Sequence, residues 1–250
     1  MVLHLARREL LATLRSPLSW VVAGTWLALH GVMFLVLVNA YLRMTSAGPG
    51  WETDGVPILH GLLDPLYSAQ SLFLLLLMPL LTMRSLAAEQ SEGTLPLLLS
   101  SPVGTLEVVL GKWLGVMGFV GLLFLLAGYA PAALLVLGDP PPGPMLGEAA
   151  GLFLLAGTLA AVGIATSSLT ASQLVAAVLA WTFSLGSWLL AALETGDGLM
   201  AAVARHASLL VHVRSFGGGL VRSTDVVWLL AVTGLFLCVA WQRTESGRWR

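Results

Sequence analysis

The run VLGKWLGVMGFVGLLFLLAGYAPAALLVL, residues 109–137, is apolar throughout except for one charge, Lys112. A helix needs ~20 such residues to cross the hydrocarbon core of a bilayer, so this stretch is long enough to span. Five more of the same kind lie at 19–42, 65–83, 146–168, 173–193 and 225–241. The composition agrees, with 57% hydrophobic and 10% charged residues among 250, where soluble globular chains carry about 25% charged. The expected fold is all-α: a polytopic membrane protein with six transmembrane helices in a single domain, 1–250. The longest segment between spans, 194–224, falls far short of the ~100–150 residues of an independent domain. An ATPase, kinase or receptor domain has no room within this sequence.

The net charge of −1 and the lack of a Lys/Arg run give no field for nucleic acid. The one cysteine, Cys238, excludes an intrachain disulfide and a CxxC metal site. Lying in an apolar run, it reads as a small buried hydrophobe. Arg7, Arg8 and Arg15 ahead of an apolar stretch imitate a secretory signal. The stretch continues to Leu42, well beyond the ~7–15 residues of a signal core, so it is expected to remain as the first span.

Six spans place both termini on one side, and Lys and Arg decide which. With the termini lie Arg7, Arg8, Arg15, Arg84, Lys112, Arg243, Arg248 and Arg250; opposite lie Arg43, Arg205, Arg214 and Arg222. Eight against four predicts cytoplasmic termini. Trp20, Trp113, Trp228, Trp241 and Trp249 fall near span ends, as interfacial aromatics do.

Gly111 and Gly115 form a GxxxG pair followed by Gly118, Gly121 and Gly128, and Gly151, Gly157 and Gly163 punctuate the fourth span. Small residues let helices approach closely in lipid, either within one subunit or along a seam between two. Residues 1–17 predict an amphipathic interfacial helix, with Leu3, Leu10, Leu11 and Leu14 on one side and Pro17 as its stop. Residues 84–108 form a cytoplasmic segment between spans two and three, and 242–250 a cytoplasmic tail. The external segment 194–224 is apolar in pieces (199–204, 209–213, 216–220) too short to span. These predict re-entrant or interfacial helices that must lie against protein to satisfy their backbones.

Chemistry is mostly missing. Gly104 to Trp113 imitates a phosphate-binding loop, but six residues rather than four separate Gly104 from Gly111, and Trp113 follows Lys112 where a hydroxyl is needed. No HExxH or GxSxG occurs. His206 and His212 are six apart, and His4, His30 and His60 are scattered, which gives no metal site and leaves hydrogen-bonded histidines. His30 is the one strongly titratable side chain well inside a span, with Asn39 near an end. Ion-driven transporters usually carry acidic or basic relays within their spans. If this chain moves something, the energy is expected to come from another protein.

Residues 79–102, PLLTMRSLAAEQSEGTLPLLLSSP, followed by Glu107 and Leu110-Gly111-Lys112, closely resemble the permease subunits of ABC-2 type transporters. The branch they look most like is that of gliding motility (GldF-like), with the copper-linked NosY permeases next. Weaker matches are 151–156 (GLFLLA), 167–173 (SSLTASQ) and 219–227 (GLVRSTDVV), so the layout covers nearly the whole chain. In place of a second acid common in the family stands Gln90, and in place of a glutamate Pro96.

The resemblance implies a transport subunit with no catalytic, cofactor or metal site of its own, coupled to a separate ABC ATPase subunit that carries ATP and Mg. It implies a coupling helix contacting that ATPase through Glu89, Glu92, Gly93, Thr94, Leu95, Leu98, Leu99 and Pro102, with Arg7 and Arg8 beside it. Gly111 and Lys112 anchor the start of span three. Gly93 and Thr94 suit the end of such a helix. A second permease subunit, identical or paralogous, and possible accessory proteins complete the implied assembly in a bacterial inner membrane. Export and transmitted motion, including gliding, both fit, as do copper-site assembly and lipid or polysaccharide export. An intramembrane enzyme is the remote alternative.

Overall fold

A computed structural model describes residues 1–46, 59–94, 104–137, 142–194, 198–216 and 221–247. Every regular element among them is helical, and six helical stretches are long and apolar enough to cross a membrane. The protein is therefore all-α and polytopic.

α1 (Val2–Arg15) ends where Ser16 turns extended, and α2 (Pro17–Ser46) begins on Pro17. Proline suits that first position because its missing N–H would have no helical partner there. A π-helical turn (Leu59–Leu63) leads into α3 (Asp64–Thr82), and a tight turn separates α3 from the short α4 (Ala87–Ser91). The expected span 109–137 begins earlier and is broken. α5 (Thr105–Ala127) takes in the end of the segment assigned to 84–108, and α6 (Tyr129–Leu137) restarts after Gly128. Pro131 lies in the first turn of α6 and has no N–H to bond back to α5.

α7 (Pro142–Leu169) and α8 (Gln173–Ala191) form the fourth and fifth spans. α9 (Leu199–Ala207) and α10 (Leu209–Arg214) follow, and α11 (Ser223–Gly247) is the sixth span. It runs beyond the expected 225–241, so most of the expected tail is helix.

α7 is the axis of the bundle. Every residue from 155 to 168 is buried, and alanine, glycine, serine and threonine predominate there. Such small side chains let neighbours pack in from all sides, which drives helix association where the surrounding lipid is as apolar as leucine. At Gly163 the approach is extreme: an added Cβ would lie 1.8 Å from Thr82 Oγ1 of α3. α11 meets α7 through paired hydroxyls, Thr158 to Thr233 at 3.0 Å. α3 and α5 complete the main core around Leu75, Met78, Val120 and Leu155.

The segment after α8 is bound to protein as its composition predicts. Leu209 N–H donates to Ser187 Oγ at 2.9 Å, and Ser208 Oγ donates to the Ser187 carbonyl at 3.1 Å. Phe216 is fully buried on Gly151, where a Cβ would come within 2.8 Å of its ring. α9 instead exposes Leu199, Met200 and Val203. Of the third expected piece, 216–220, only Phe216 lies within the described residues.

Two readings need correction. Cys238 is exposed, because it occupies the outward face of α11 rather than the stripe through Leu237 and Ala240. On α1, Leu3 and Leu11 are exposed, and the packed face is Leu5, Ala6, Glu9, Leu10, Thr13 and Leu14. Of the four leucines expected on one side, Leu10 and Leu14 lie on this packed face and Leu3 and Leu11 do not. Because Gly163 leaves no room for a methyl group, Gly163→Ala should cost ~1–3 kcal/mol through overpacking. Thermal unfolding in mild detergent should then show a melting temperature several degrees lower, whereas Gly186→Ala, where a Cβ meets nothing within 4 Å, should leave it unchanged.

Candidate coupling site

α1, α4, the start of α5 and the end of α11 meet at one end of the bundle. Their junction is built on the GxxxG pair. A Cβ on Gly111 would lie 2.6 Å from Leu5 Cβ, and one on Gly115 would lie 2.6 Å from Glu9 Cβ. The two glycines form the groove in which α1 docks, so the motif works within one chain and its partner is the N-terminal helix. That close approach brings Glu9 over Lys112.

Lys112 is buried, with 4% of its side chain exposed, and its ammonium donates to Glu89 Oε1 at 2.7 Å and to Glu9 Oε1 at 3.2 Å. One cation thereby ties three helices that sequence separates widely. The two glutamate side chains are a fifth to a quarter exposed, although Glu89 Oε2 is buried without a partner among the described residues. The lysine has no such exposure, and leaving it unpaired would be costly.

α4 is held from its other side by α7. Ser167 Oγ accepts from the N–H groups of Leu86 and Ala87 at 2.9 and 2.8 Å and donates to the Met83 carbonyl at 3.0 Å. One hydroxyl thus satisfies the turn that breaks α3 from α4. Gln90 Nε2 donates to the Ser168 carbonyl at 3.0 Å, a bond that an ionised acid at this position could not make.

The helix ends on Gly93, whose φ of +67° lies in the left-handed region. Thr94 N–H reaches back to the Glu89 carbonyl at 3.0 Å and Gly93 N–H to that of Gln90 at 3.4 Å. This pair of bonds is a Schellman termination, for which glycine is the usual residue. Glu92, Gly93 and Thr94 are left exposed. Arg7 and Arg8 are exposed on the face of α1 away from α5, and Arg8 shares with Ala88, Glu89, Arg84 and Lys112 a cavity of about 440 Å³. Leu95, Leu98, Leu99 and Pro102 lie outside the described residues, as does Pro96.

The structure therefore divides the residues assigned to coupling. Glu89, Gly111 and Lys112 face inward and hold the site together; Glu92, Gly93, Thr94, Arg7 and Arg8 face outward. Sequence reasoning missed Glu9, Ser167 and the lock on the end of α11, where Trp241 Nε1 donates to Thr105 Oγ1 at 3.0 Å and Thr105 in turn donates to Glu245. Glu9 is legible in hindsight, as the one acid on a stripe facing two glycines four apart.

The other titratable groups do not form a reaction centre. His30 is buried against Gln70 and Tyr129. His212 Nδ1 pairs with Asp225 Oδ1 at 2.7 Å while its ring stacks on Trp228 at 4.1 Å. Ser215 Oγ bonds Asp225 Oδ2 at 2.6 Å and the His212 backbone carbonyl at 2.8 Å rather than the imidazole ring, so the nucleophile–base hydrogen bond that activates a serine is not made. Among the described residues, no three His, Cys, Asp or Glu side chains come together as a metal set.

These features define a multi-pass helical membrane protein with a short, tethered helix presented at one end. The family model for ABC-2 family transporter proteins matches residues 4–193, and the chain belongs to that family. It is thus a transmembrane permease subunit of an ABC transporter, not itself catalytic, and membership implies partnership with an ABC ATPase subunit. No curated protein matches the sequence significantly.

Removing Lys112 leaves two acids facing each other, so Lys112→Met should destabilise by about 3 kcal/mol. The triple variant Lys112→Met, Glu9→Gln, Glu89→Gln should recover most of that loss in melting temperature. A single-variant loss that the triple variant does not recover would mean that the ion pairs are incidental.

Proposed function

We propose that this end of the bundle is cytoplasmic and that a separate ATP-binding subunit docks on the outer face of α4, with ATP and Mg bound in that partner. The observation that carries this reading is the two-sided build of α4. Its inner side is fixed by Glu89–Lys112 and by Ser167, and its outer side ends in the exposed Glu92-Gly93-Thr94. A helix held in this way passes a push to the spans instead of absorbing it. The excess of Lys and Arg on the terminal side supports the orientation.

In this reading Glu92, Gly93 and Thr94 touch the ATPase, with Leu95, Leu98, Leu99 and Pro102 continuing the contact and Arg7 and Arg8 flanking it. Closure of two ATPase subunits on ATP moves α4, and the motion enters α5 through Lys112 and α7 through Ser167. A second permease, identical or paralogous, forms the other half in a bacterial inner membrane. The likeness of 79–112 to the gliding-motility branch supports transmitted motion or export in that setting, ahead of copper-site assembly or lipid or polysaccharide export. Any accessory protein would be engaged at the far end.

Purification from native membranes in mild detergent should bring down a stoichiometric P-loop ATPase identifiable by mass spectrometry. Glu92→Arg combined with Arg8→Glu should lower stimulation of that ATPase roughly tenfold, the weight of about 1.4 kcal/mol at the contact, with the melting temperature unchanged. Intact protein that brings down no ATPase, or undiminished stimulation in the folded variant, would overturn the proposal.

A further inference from the structure

At the opposite end of the bundle, the first turn of α3 and the second turn of α7 bring two acids, Asp64 and Glu148, to one cavity. Glu148 is 6% exposed and shares the lining of that cavity with Asp64. Asp64 Oδ2 pairs with His60 Nδ1 at 2.7 Å, but Asp64 Oδ1 and Glu148 Oε2 are buried and have no donor among the described residues. Both acids line a cavity of about 350 Å³. Buried carboxylate oxygens are ordinarily paired with a donor or a cation, and here the described residues supply neither.

The rest of the lining is rich in acceptors and poor in free donors. Tyr67 directs its hydroxyl proton to the Met145 carbonyl at 3.4 Å, and Ser71 donates to the Ser68 carbonyl at 2.7 Å. Arg214, the one cation on the wall, is committed to Glu194 Oε1 at 2.9 Å. The remaining wall is apolar, formed by Leu152, Leu210 and Trp188, and Trp188 is 44% exposed, so the cavity reaches the surface. Its volume suits an organic ligand and far exceeds that of a bare ion.

We infer that this cavity binds a primary alkylammonium, with the Glu148–Asp64 pair taking the ammonium N–H groups and the apolar wall taking the first carbons of the chain. Two carboxyls on one cavity wall hold one shared proton or one counter-cation more readily than two free charges, and a three-donor ammonium offers a donor to each orphaned oxygen. Trp188 adds an aromatic face of the kind that attracts cations. The site does not depend on the coupling proposal, because it involves this chain alone.

The test uses the full chain in phosphatidylcholine nanodiscs and a dodecylammonium probe with a diazirine beside the nitrogen, with labelled peptides mapped by mass spectrometry. Residues 64–72, 148–152 and 188 should be labelled about tenfold more than by the matching dodecanol probe, a ratio set by the charge contact. Glu148→Gln, nearly isosteric, should reduce labelling to the alcohol level with the melting temperature unchanged. Arg214→Gln, an exposed change, should raise it several-fold. Competition by phosphatidylethanolamine in the disc would assign the ammonium to a lipid headgroup, and competition by free octylamine alone would assign it to a soluble amphiphile. Equal labelling by both probes, labelling elsewhere, or wild-type labelling of the Glu148→Gln variant would each overturn the inference.

Discussion

In a bilayer the hydrophobic effect gives one helix no reason to prefer another helix over lipid, so close approach has to hold the bundle together. Here that approach is concentrated on α7. Its surface from 155 to 168 is buried on every side, and each neighbour meets it through something small or hydroxylic: Thr82 at Gly163, Thr233 at Thr158, and the α3–α4 turn at Ser167. Bulkier residues on α7 would push those neighbours apart and expose the backbone groups that Ser167 now satisfies.

The same economy shapes the end where α1 docks. Two glycines remove the side chains that would keep α1 away, and the resulting contact carries Glu9 to a lysine that would otherwise be buried alone. Packing comes first and electrostatics follows. Lys112 is tolerable inside α5 because the groove at Gly111 and Gly115 delivers an acid to it from one side and α4 delivers Glu89 from the other. The N-terminal helix is therefore packed into the end of the bundle through its Glu9 face.

The spans were legible as segments because length and hydropathy act on whole segments, and six helical stretches long and apolar enough to cross a membrane are present among the described residues. The end of α4 was also legible, since Gly93 is the residue that a left-handed termination favours. What escaped was set by single contacts between distant segments. Reading α1 by its leucines hid Glu9, because in the fold the docking stripe follows the glycines it must meet rather than the largest apolar residues. Glu148 carried no signal in the sequence, because only the fold brings it into one cavity with Asp64, far earlier in the chain. Cys238 was assigned inward because an apolar run around a span carries too little periodicity to separate a lipid-facing side from a protein-facing one.

That outward thiol has a practical side. Since it is the sequence's one cysteine and is exposed on α11, the unaltered protein already carries a unique attachment point on its outer wall. A nitroxide or fluorophore placed there would report motion of α11 in the membrane, with no residue replaced beforehand.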